Sequence, residues 1–318
     1  RSLKKYMKTS TNPAIKFLEK WKPIKFIEKG SSCDVILVED IRTSQQEILK
    51  LYRADINTLC AEFEAELLVS ISHPRIISTS GFFPSVEVPN QDASEIARNS
   101  KPLYLSAVGL EYAPNGDLLR LVSNLGHLPE IIARSYFHQL IDAIGYLHDL
   151  KICHFDIKPD NILLDANFSI KLADFGLSLK TPERDYLKAV TGTPLYHSPE
   201  IHEGKEYNCY QADLFAFGVT LFIMALGQIP FNKARLEDPF YTLLAEGKYE
   251  EFWAFHEKIS CEKAQPISRS LKNLLQDMLA YEPKQRPSLK QIKEYEWFKS
   301  IVAPDHKIAS LFNSISLQ

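Results

Sequence analysis

Cysteine is scarce in this sequence. Five cysteines occur among 318 residues, an odd number, and they are widely spaced with no CxxC pair. Small secreted domains that depend on disulfides carry more cysteines, in matched sets. The sequence therefore excludes a disulfide scaffold and favours a reducing, intracellular location, for which we expect the cytoplasm.

A long hydrophobic run and an excess of positive charge are also missing. The longest apolar run, 214–227, has 14 residues, whereas a helix needs about 20 to cross a bilayer. We therefore expect a buried core helix there and no membrane span. Lysine and arginine total 37 against 40 acidic residues, a net charge of −3, so no basic field indicates a nucleic-acid partner.

The composition that remains is that of a globular protein. Hydrophobic residues make up 45% and charged residues 24%, with 12 glycines and 18 prolines. These values exclude collagen-like and disordered classes. The length corresponds to about two domains or lobes of ordinary size.

The first third of the chain is predicted to be rich in strands. Residues 1–22 form a basic flank, in which Ile15, Leu18 and Trp21 have the spacing of a short helix. Alternating and β-branched residues predict an antiparallel meander, and helical spacing then predicts one helix. The predicted strands are 25–29, 35–38 and 47–52, the predicted helix is 57–72, and a polar stretch with three prolines predicts a surface insertion over 84–102.

Beyond residue 118 the predicted structure is mainly helical. Apolar residues at helical spacing after Pro129 predict one face of a long helix, and two short strands joined by a turn follow. The helix face comprises Ala133, Phe137, Leu140, Ile144 and Leu147, and the strands are 162–164 and 169–173. The sequence thus predicts a small β-rich lobe followed by a larger helical lobe.

Two motifs near the middle of the chain carry the chemistry. The first is His154-Phe155-Asp156-Ile157-Lys158-Pro159-Asp160-Asn161, and the second, Asp174-Phe175-Gly176, begins thirteen residues after it. They resemble the catalytic loop HRDxKPxN and the metal-binding DFG turn of the eukaryotic protein kinase family. The lysine of the first motif is similar to that of the serine/threonine branch. The chain most resembles the calcium/calmodulin-dependent kinase-like groups.

The resemblance implies an α+β, two-lobed kinase fold and transfer of the γ-phosphate of Mg-ATP to Ser/Thr hydroxyls of protein substrates. The kinase domain is expected over 23–300, preceded by the basic flank 1–22 and followed by a C-terminal tail, 301–318. Within it we expect an N-lobe at 23–110, a hinge at 111–117 and a C-lobe at 118–300.

The resemblance also assigns catalytic roles. Asp156 is expected to orient or deprotonate the substrate hydroxyl, and Lys158 to meet the transferring phosphate. Asn161 and Asp174 supply the hard oxygen ligands that Mg²⁺ prefers. Lys50 matches the lysine of the VAIK strand, and Glu64 falls where the αC helix carries its glutamate partner.

A further set of residues is expected at the nucleotide. Leu110 falls at the gatekeeper position, the backbone of Glu111 to Ala113 would hold adenine, and Asp117 would reach the ribose or a basic substrate residue. The complete set of expected nucleotide-binding residues is Lys50, Gly30, Val35, Ile48, Leu110, Glu111, Ala113, Asp117 and Leu163.

The activation segment resembles the family over Gly192–Glu200. Arg286 is the family's partner for Glu200, and the resemblance implies a bidentate pair that fixes this segment. Two expected parts of a phosphorylation switch are missing, however. Phe155 replaces the arginine that binds a phosphorylated loop, and Ala189 stands where the acceptor usually lies. We therefore expect activity without loop phosphorylation, and a regulatory partner of unknown identity.

Other departures keep alternatives open. Of the glycine-rich loop GxGxxG only Gly30 remains, since Glu28 and Cys33 replace the outer glycines, and Ile48 stands where the family has a small alanine above the adenine. A pseudokinase that binds nucleotide or protein partners without transfer is the main alternative. A small-molecule kinase of the same fold is a third interpretation, which the match over the activation segment disfavours.

Substrate preference is expected to be partly basophilic. Asp117 and Asp160 fall where basophilic relatives place acids that bind arginine upstream of the acceptor, while Ile223 occupies the position that often adds a third acid. The sequence therefore predicts a partial preference for arginine three residues before the acceptor.

Overall fold

The structure is a computed structural model that describes residues 15–29, 33–52, 56–88, 103–181, 186–260 and 266–316. The chain divides into two compact units. The first unit is Arg1–Ser72 with Ile77–Tyr112, and the second is His73–Ile76 with Ala113–Gln318. The first is rich in strands and the second in helices, which confirms the α+β class.

A six-stranded sheet forms the centre of the first unit. Its strand order is β1-β5-β6-β4-β3-β2, with β1 parallel to β5 and the other neighbours antiparallel. The elements are β1 Ile15–Lys16, α1 Phe17–Lys20, β2 Trp21–Lys29, β3 Cys33–Asp40, β4 Gln46–Tyr52, α2 Ile56–Val69, β5 Thr79–Val88 and β6 Leu103–Glu111. The predicted meander and the helix after it are confirmed, the helix ending three residues earlier than expected.

One face of this sheet buries the core of the first unit. Trp21, Leu49 and Leu51 are among its least exposed members, and Phe17 and Trp21 pack with their rings 5.8 Å apart. The short helix predicted over Ile15, Leu18 and Trp21 is therefore wrong in extent. Ile15 pairs with β5 and Trp21 opens β2, because burial of these side chains against the sheet outweighs a weak helical pattern.

The first five residues of the predicted surface insertion, 84–88, belong to a strand. Strand β5 continues through Pro84 to Val88, and its pairing with β6 is irregular between Phe83 and Val86. A proline is tolerated in a strand at such an irregularity because its missing N–H breaks no ladder bond there. Residues 89–102 of the predicted insertion, and residues 1–14 of the predicted basic flank, lie outside the described residues.

The second unit is built mainly from helices. Its elements are α3 Leu118–Leu125, α4 Glu130–Asp149, β7 Ile152–Cys153, β8 Ile162–Leu164, β9 Ile170–Leu172, β10 Leu179–Lys180, β11 Tyr186–Leu187, α5 Pro199–His202, β12 Tyr207–Asn208, α6 Cys209–Leu226, α7 Pro239–Ala245, α8 Tyr249–Ser260, α9 Arg269–Met278, α10 Leu289–Ile292, α11 Glu296–Lys299 and α12 Asp305–Ser316. Short hairpins pair β7 with β10, β8 with β9 and β11 with β12. The predicted long helix and the two strands after it are confirmed as α4, β8 and β9.

Helix α6 is the core helix that the apolar run predicts. Among the described residues it alone is long and apolar enough to cross a membrane by length and composition, but 89% of it is buried inside the second unit. The side chain of Asn208 caps its first turn by accepting from Gln211 N. Gly227 ends it with a positive φ of 70°, where an added Cβ would lie 1.4 Å from the Gly126 carbonyl oxygen.

The predicted C-terminal tail contains a folded helix. Residues 305–316 form α12, and its Ile308 and Phe312 are only 1% and 2% exposed. The two apolar positions are four residues apart, so they lie on one helix face that the second unit covers.

Candidate active site

Two partners, Lys50 and Tyr52, hold the buried carboxylate of Glu64 in the first unit. Lys50 Nζ donates to Glu64 Oε1 at 2.7 Å, with side chains 14% and 1% exposed. Tyr52 Oη donates to the other oxygen, Oε2, also at 2.7 Å. Lys50 and Tyr52 point the same way because they are two residues apart in β4. The structure thus brings together the predicted pair and adds a second donor.

The predicted nucleotide residues of the first unit share one face of its sheet. In the register of β4, Lys50 lies opposite Val35 and Ile48 lies opposite Leu110. Directly paired residues project to the same face, which is the face opposite Leu49 and the core. Leu110, the predicted gatekeeper, is buried, while Val35 and Ile48 are half-buried.

The end of β6 is fixed by Glu111. Its carboxylate Oε2 accepts from Ser78 Oγ at 3.0 Å and from Ser78 N at 3.2 Å, and Glu111 N donates to Ser78 O at 2.9 Å. The side chain and the backbone amide of Glu111 are therefore both bonded to Ser78, and the contact of residues 111–113 with adenine stays a prediction. Gly30 lies outside the described residues.

Asp156 is the most heavily bonded side chain of the catalytic-loop motif in the second unit. Its Oδ2 accepts from Lys158 Nζ at 2.7 Å and Asn161 Nδ2 at 2.9 Å. Its Oδ1 accepts from Thr193 Oγ1 at 2.7 Å and Thr193 N at 3.1 Å. Lys158 also donates to Thr193 Oγ1 at 2.8 Å. The carboxylate is 6% exposed, so it is held in one orientation by charge-assisted hydrogen bonds.

A buried aspartate from α6 holds the backbone of this loop. Asp213 accepts from His154 N and Phe155 N, each at 2.9 Å, and from His148 Nε2 at 3.0 Å. Phe155 has φ of 65°, an unfavourable value for a non-glycine residue. Such a conformation persists only when its surroundings determine it, and the two amide bonds to Asp213 do so.

The neighbourhood of Asp213 also resembles a metal cluster by composition. Ligand atoms of His148, Cys153 and Asp213 lie within 4.8 Å of one another. The carboxylate already accepts three hydrogen bonds, two of them from the loop backbone. We therefore interpret this cluster as a structural anchor.

His154 serves the packing of the loop. It is fully buried, and its Nδ1 accepts from Asp156 N at 3.3 Å while Nε2 contacts Ala173 O at 3.1 Å. Burial lowers the pKa of this imidazole, which keeps the ring neutral with its proton on Nε2. The ring meets Phe175 edge-on at 4.8 Å. Both nitrogens are thus used by the backbone, in keeping with a packed residue and not a general base.

Asp174 follows strand β9 with a strained backbone. Its φ is 62°, and Asp174 is half-buried. The preceding amide, Ala173 N, donates to Asn161 O at 2.8 Å.

The side chain of Asn161 is bonded through its amide nitrogen. Asn161 Nδ2 donates to Asp156 O at 2.8 Å and to the Asp156 carboxylate. Both bonds use the amide nitrogen, so the carboxamide oxygen is the atom suited to a metal.

Two of the predicted nucleotide residues of the second unit, Asp117 and Leu163, are neighbours through their backbones. Asp117 and Leu163 form an isolated antiparallel bridge, and Ala113 is buried. Asp117 Oδ1 accepts from Arg120 N at 2.7 Å and caps α3. One oxygen of the expected ribose ligand is thus committed to a helix cap, which the sequence motif of an acid before an apolar run would have predicted.

The activation segment is held from two sides. Arg286 donates to Glu200 Oε1 and Oε2 at 2.7 Å each, which confirms the expected bidentate pair. Phe155 packs against a buried cluster of Ile201, Tyr207 and Ala212, where Leu187 also packs.

Close backbone contacts add to this arrangement. Tyr207 Oη donates to Ala189 O at 2.9 Å. Gly192 has φ of 95°, and a Cβ there would lie 2.2 Å from Phe155 O. Only glycine allows this approach between the segment and the loop.

Sequence reasoning missed one supporting residue, Tyr52, and the role of another, Asp213, which resembles the first residue of the family's DxWxxG motif. Tyr52 could have been found from its position two residues after Lys50 in a strand, since both then face Glu64. The anchoring role of Asp213 had a weaker signal, because its partners are backbone amides nearly sixty residues away in sequence.

Comparison with known families agrees with this geometry. The protein kinase domain family matches residues 21–298. The chain belongs to the protein kinase domain family. The match contains the Lys50–Glu64 pair, the Asp156 loop and the Glu200–Arg286 pair.

Curated relatives of this kinase are serine/threonine kinases of several types. It is 31% identical over 297 residues to CBL-interacting protein kinase 11 of Oryza sativa subsp. japonica, covering 92% of this chain and 54% of that protein. It is 29% identical over 276 residues to an Aurora kinase of Eremothecium gossypii, covering 87% and 64%. It is 31% identical over 255 residues to the probable kinase MARK-A of Dictyostelium discoideum, covering 80% and 21%. The chain thus spans less than two thirds of each of these relatives.

Proposed function

We propose that this chain transfers the γ-phosphate of Mg-ATP to serine and threonine hydroxyls of protein substrates. The carrying observation is the Asp156 carboxylate, held by Lys158, Asn161 and Thr193 at 2.7–3.1 Å. A carboxylate held in this way can accept the hydrogen bond of an incoming hydroxyl without reorganising, which places the nucleophile for in-line attack.

Asn161 and Asp174 would hold Mg²⁺. The fit rests on donor chemistry, because a carboxamide oxygen and a carboxylate are hard ligands that suit this ion and not a soft metal. When bound, the ion would neutralise charge on the phosphate oxygens. Lys158 carries its charge beside Asp156 and would attract the transferring phosphate.

In the first unit, Lys50 would bind phosphate oxygens of the nucleotide. The Glu64 carboxylate fixes the position of the Lys50 ammonium group. The hydroxyl of Tyr52 in turn fixes the position of that carboxylate. Val35, Ile48 and Leu110 would supply the apolar face on which adenine lies.

Substrate proteins are the partners that this activity implies. A cavity of about 400 Å³ next to Lys158 is lined by Asp160, Leu195 and Ile223, among others. Asp160 is exposed, whereas one oxygen of Asp117 is committed to capping α3. A partial preference for basic residues upstream of the acceptor would therefore rest on Asp160. An intracellular, cytoplasmic location accompanies this proposal, since Cys33, Cys60, Cys153 and Cys209 are not in disulfides.

The proposal is tested with Asp156→Asn. Removal of a positioned catalytic carboxylate should lower the transfer rate about 10²–10⁴-fold, while nucleotide binding measured by thermal shift stays unchanged. Asp149→Asn is the matched control, an exposed aspartate at the end of α4. Nucleotide binding without transfer by the wild type would instead support the pseudokinase alternative, which is motivated by Glu28 and Cys33 in place of the outer glycines of the glycine-rich loop.

A further inference from the structure

Helix α12 lies beyond the segment that the kinase family matches. The family match ends at residue 298, and α12 begins at Asp305. Ile308 and Phe312 bury one face of this helix on the second unit. Two hydrogen bonds to α4 hold the segment that leads into α12. Arg134 Nη1 donates to Ile301 O at 2.8 Å, and Ala303 N donates to Ser135 Oγ at 2.8 Å.

The first residue of α12 contacts two groups that each support strand β9. Asp305 Oδ2 accepts from Arg75 Nη2 at 2.7 Å, and Oδ1 accepts from Gln139 Nε2 at 3.0 Å. The backbone oxygen of Arg75 accepts from Leu172 N at 2.8 Å. The side-chain oxygen of Gln139 accepts from Ile170 N at 2.9 Å. One carboxylate thus bonds the side chains of both residues that accept from amides of β9.

A second contact joins α12 to the same hairpin. The rings of Phe312 and Phe168 lie 5.3 Å apart, and both are nearly fully buried. Phe168 stands in the turn between β8 and β9 with φ of 56°. Such a conformation in an aromatic residue needs support from its surroundings, and the Phe312 ring provides part of it.

Strand β9 leads directly to the proposed metal ligands. Asp174 is two residues beyond the end of β9 and is itself held at a positive φ. Ala173, between them, donates to the backbone oxygen of Asn161. The position of β9 therefore sets the position of Asp174, and the Ala173–Asn161 bond links it to the other proposed ligand.

We propose that α12 is a brace for the metal-binding turn, with Asp305 as a positioning residue and Phe312 as the apolar anchor. The link to magnesium rests on the proposed function. The brace itself rests on the contacts with Arg75, Gln139 and Phe168.

The test uses Asp305→Asn in the full chain. The substitution keeps the size of the side chain and removes its charge from Arg75 and Gln139. Because the Arg75–Asp305 pair is partly exposed, at 22% and 47%, we expect a roughly two- to fivefold increase in the Mg²⁺ concentration for half-maximal rate. The KM for peptide substrate should not change. The control Lys307→Gln, at an exposed position of the same helix, should leave both constants unchanged.

Amide hydrogen exchange gives a readout that does not need catalysis. Exchange at Ile170 and Leu172 should be faster in Asp305→Asn, and faster still in Phe312→Ala, than in the wild type or Lys307→Gln. If the wild type transfers no phosphate, the proposed function fails while this measurement still decides the brace. Unchanged exchange at both amides would overturn the brace, as would a rise in peptide KM with no change in Mg²⁺ dependence.

Discussion

The Glu200→Gln variant removes one charge of the buried ion pair that fixes the activation segment. Arg286 and Glu200 are joined by two parallel bonds of 2.7 Å, with side chains 0% and 6% exposed. Arg286 also donates Nε to Ala280 O at 2.9 Å, and its guanidinium lies 4.9 Å from the Phe215 ring. These contacts keep the guanidinium in place after the substitution, with its charge no longer neutralised.

The burial of this ion pair sets the expected loss of folding stability. Removing one partner of a buried ion pair destabilises a protein by about 3–5 kcal/mol, because the remaining charge stays buried without compensation. In a domain of 150–250 residues each kcal/mol lowers Tm by roughly 2–4 °C. We therefore expect Tm to fall by roughly 6–20 °C in Glu200→Gln.

Calorimetry and urea unfolding of Glu200→Gln and Glu246→Gln provide the assay. Glu246 makes the same kind of bond to Lys248, at 2.7 Å, but both side chains are 51% exposed. An exposed pair contributes about 0–1 kcal/mol, so Glu246→Gln should change Tm by no more than a few degrees. Similar losses of stability in the two variants would refute the reasoning that burial makes the Glu200 pair important.

Three more predictions concern the nucleotide, pH and regulation. Ile48→Ala should lower the KM for ATP because it makes room for adenine, whereas Ile24→Ala, at an exposed position of β2, should not; an unchanged or higher KM contradicts this. Burial lowers the pKa of His256 from 6.5 to about 4, so its contribution to stability is fully present above pH 6.5 and declines as pH falls toward 4. Urea unfolding of His256→Phe should therefore show a pH slope smaller by up to about 1.4 kcal/mol per pH unit in that window, and an equal slope would be evidence against it. Phosphatase-treated wild type should keep its full rate, since Phe155 packs where a phosphate-binding arginine would stand; a loss that tracks dephosphorylation of 177–193 would overturn this.

The catalytic loop could be predicted from sequence because its residues are close together in the chain. Asp156, Lys158 and Asn161 lie within six positions, and their motif fixes both residue types and spacing. The hydrogen bonds among them then follow from a short loop and one 3₁₀ turn at Pro159–Asn161. The long helix α4 was equally accessible, because twenty residues of periodic pattern leave little ambiguity.

Contacts between distant segments could not be derived from local pattern. Glu200 and Arg286 are 86 positions apart, and only the resemblance to a family paired them. The helix α12 was missed because a single apolar face of twelve residues has no stability of its own in water. Its formation depends on packing against α4 and the β8–β9 hairpin, which the sequence does not reveal. Trp21 was misassigned for the same reason, since the sheet that buries it is assembled from strands far apart in sequence.

The central claim is most directly tested by locating the transferred phosphate. The wild type and Asp156→Asn would be incubated with Mg-ATP and a peptide library that presents Ser, Thr and Tyr acceptors with and without upstream arginine, and the products identified by mass spectrometry. We predict phosphate on Ser and Thr in the wild-type reaction, enriched where arginine lies upstream, and a loss of about 10²–10⁴-fold in Asp156→Asn. Absence of transfer by the wild type, or equal transfer by both proteins, would contradict the account.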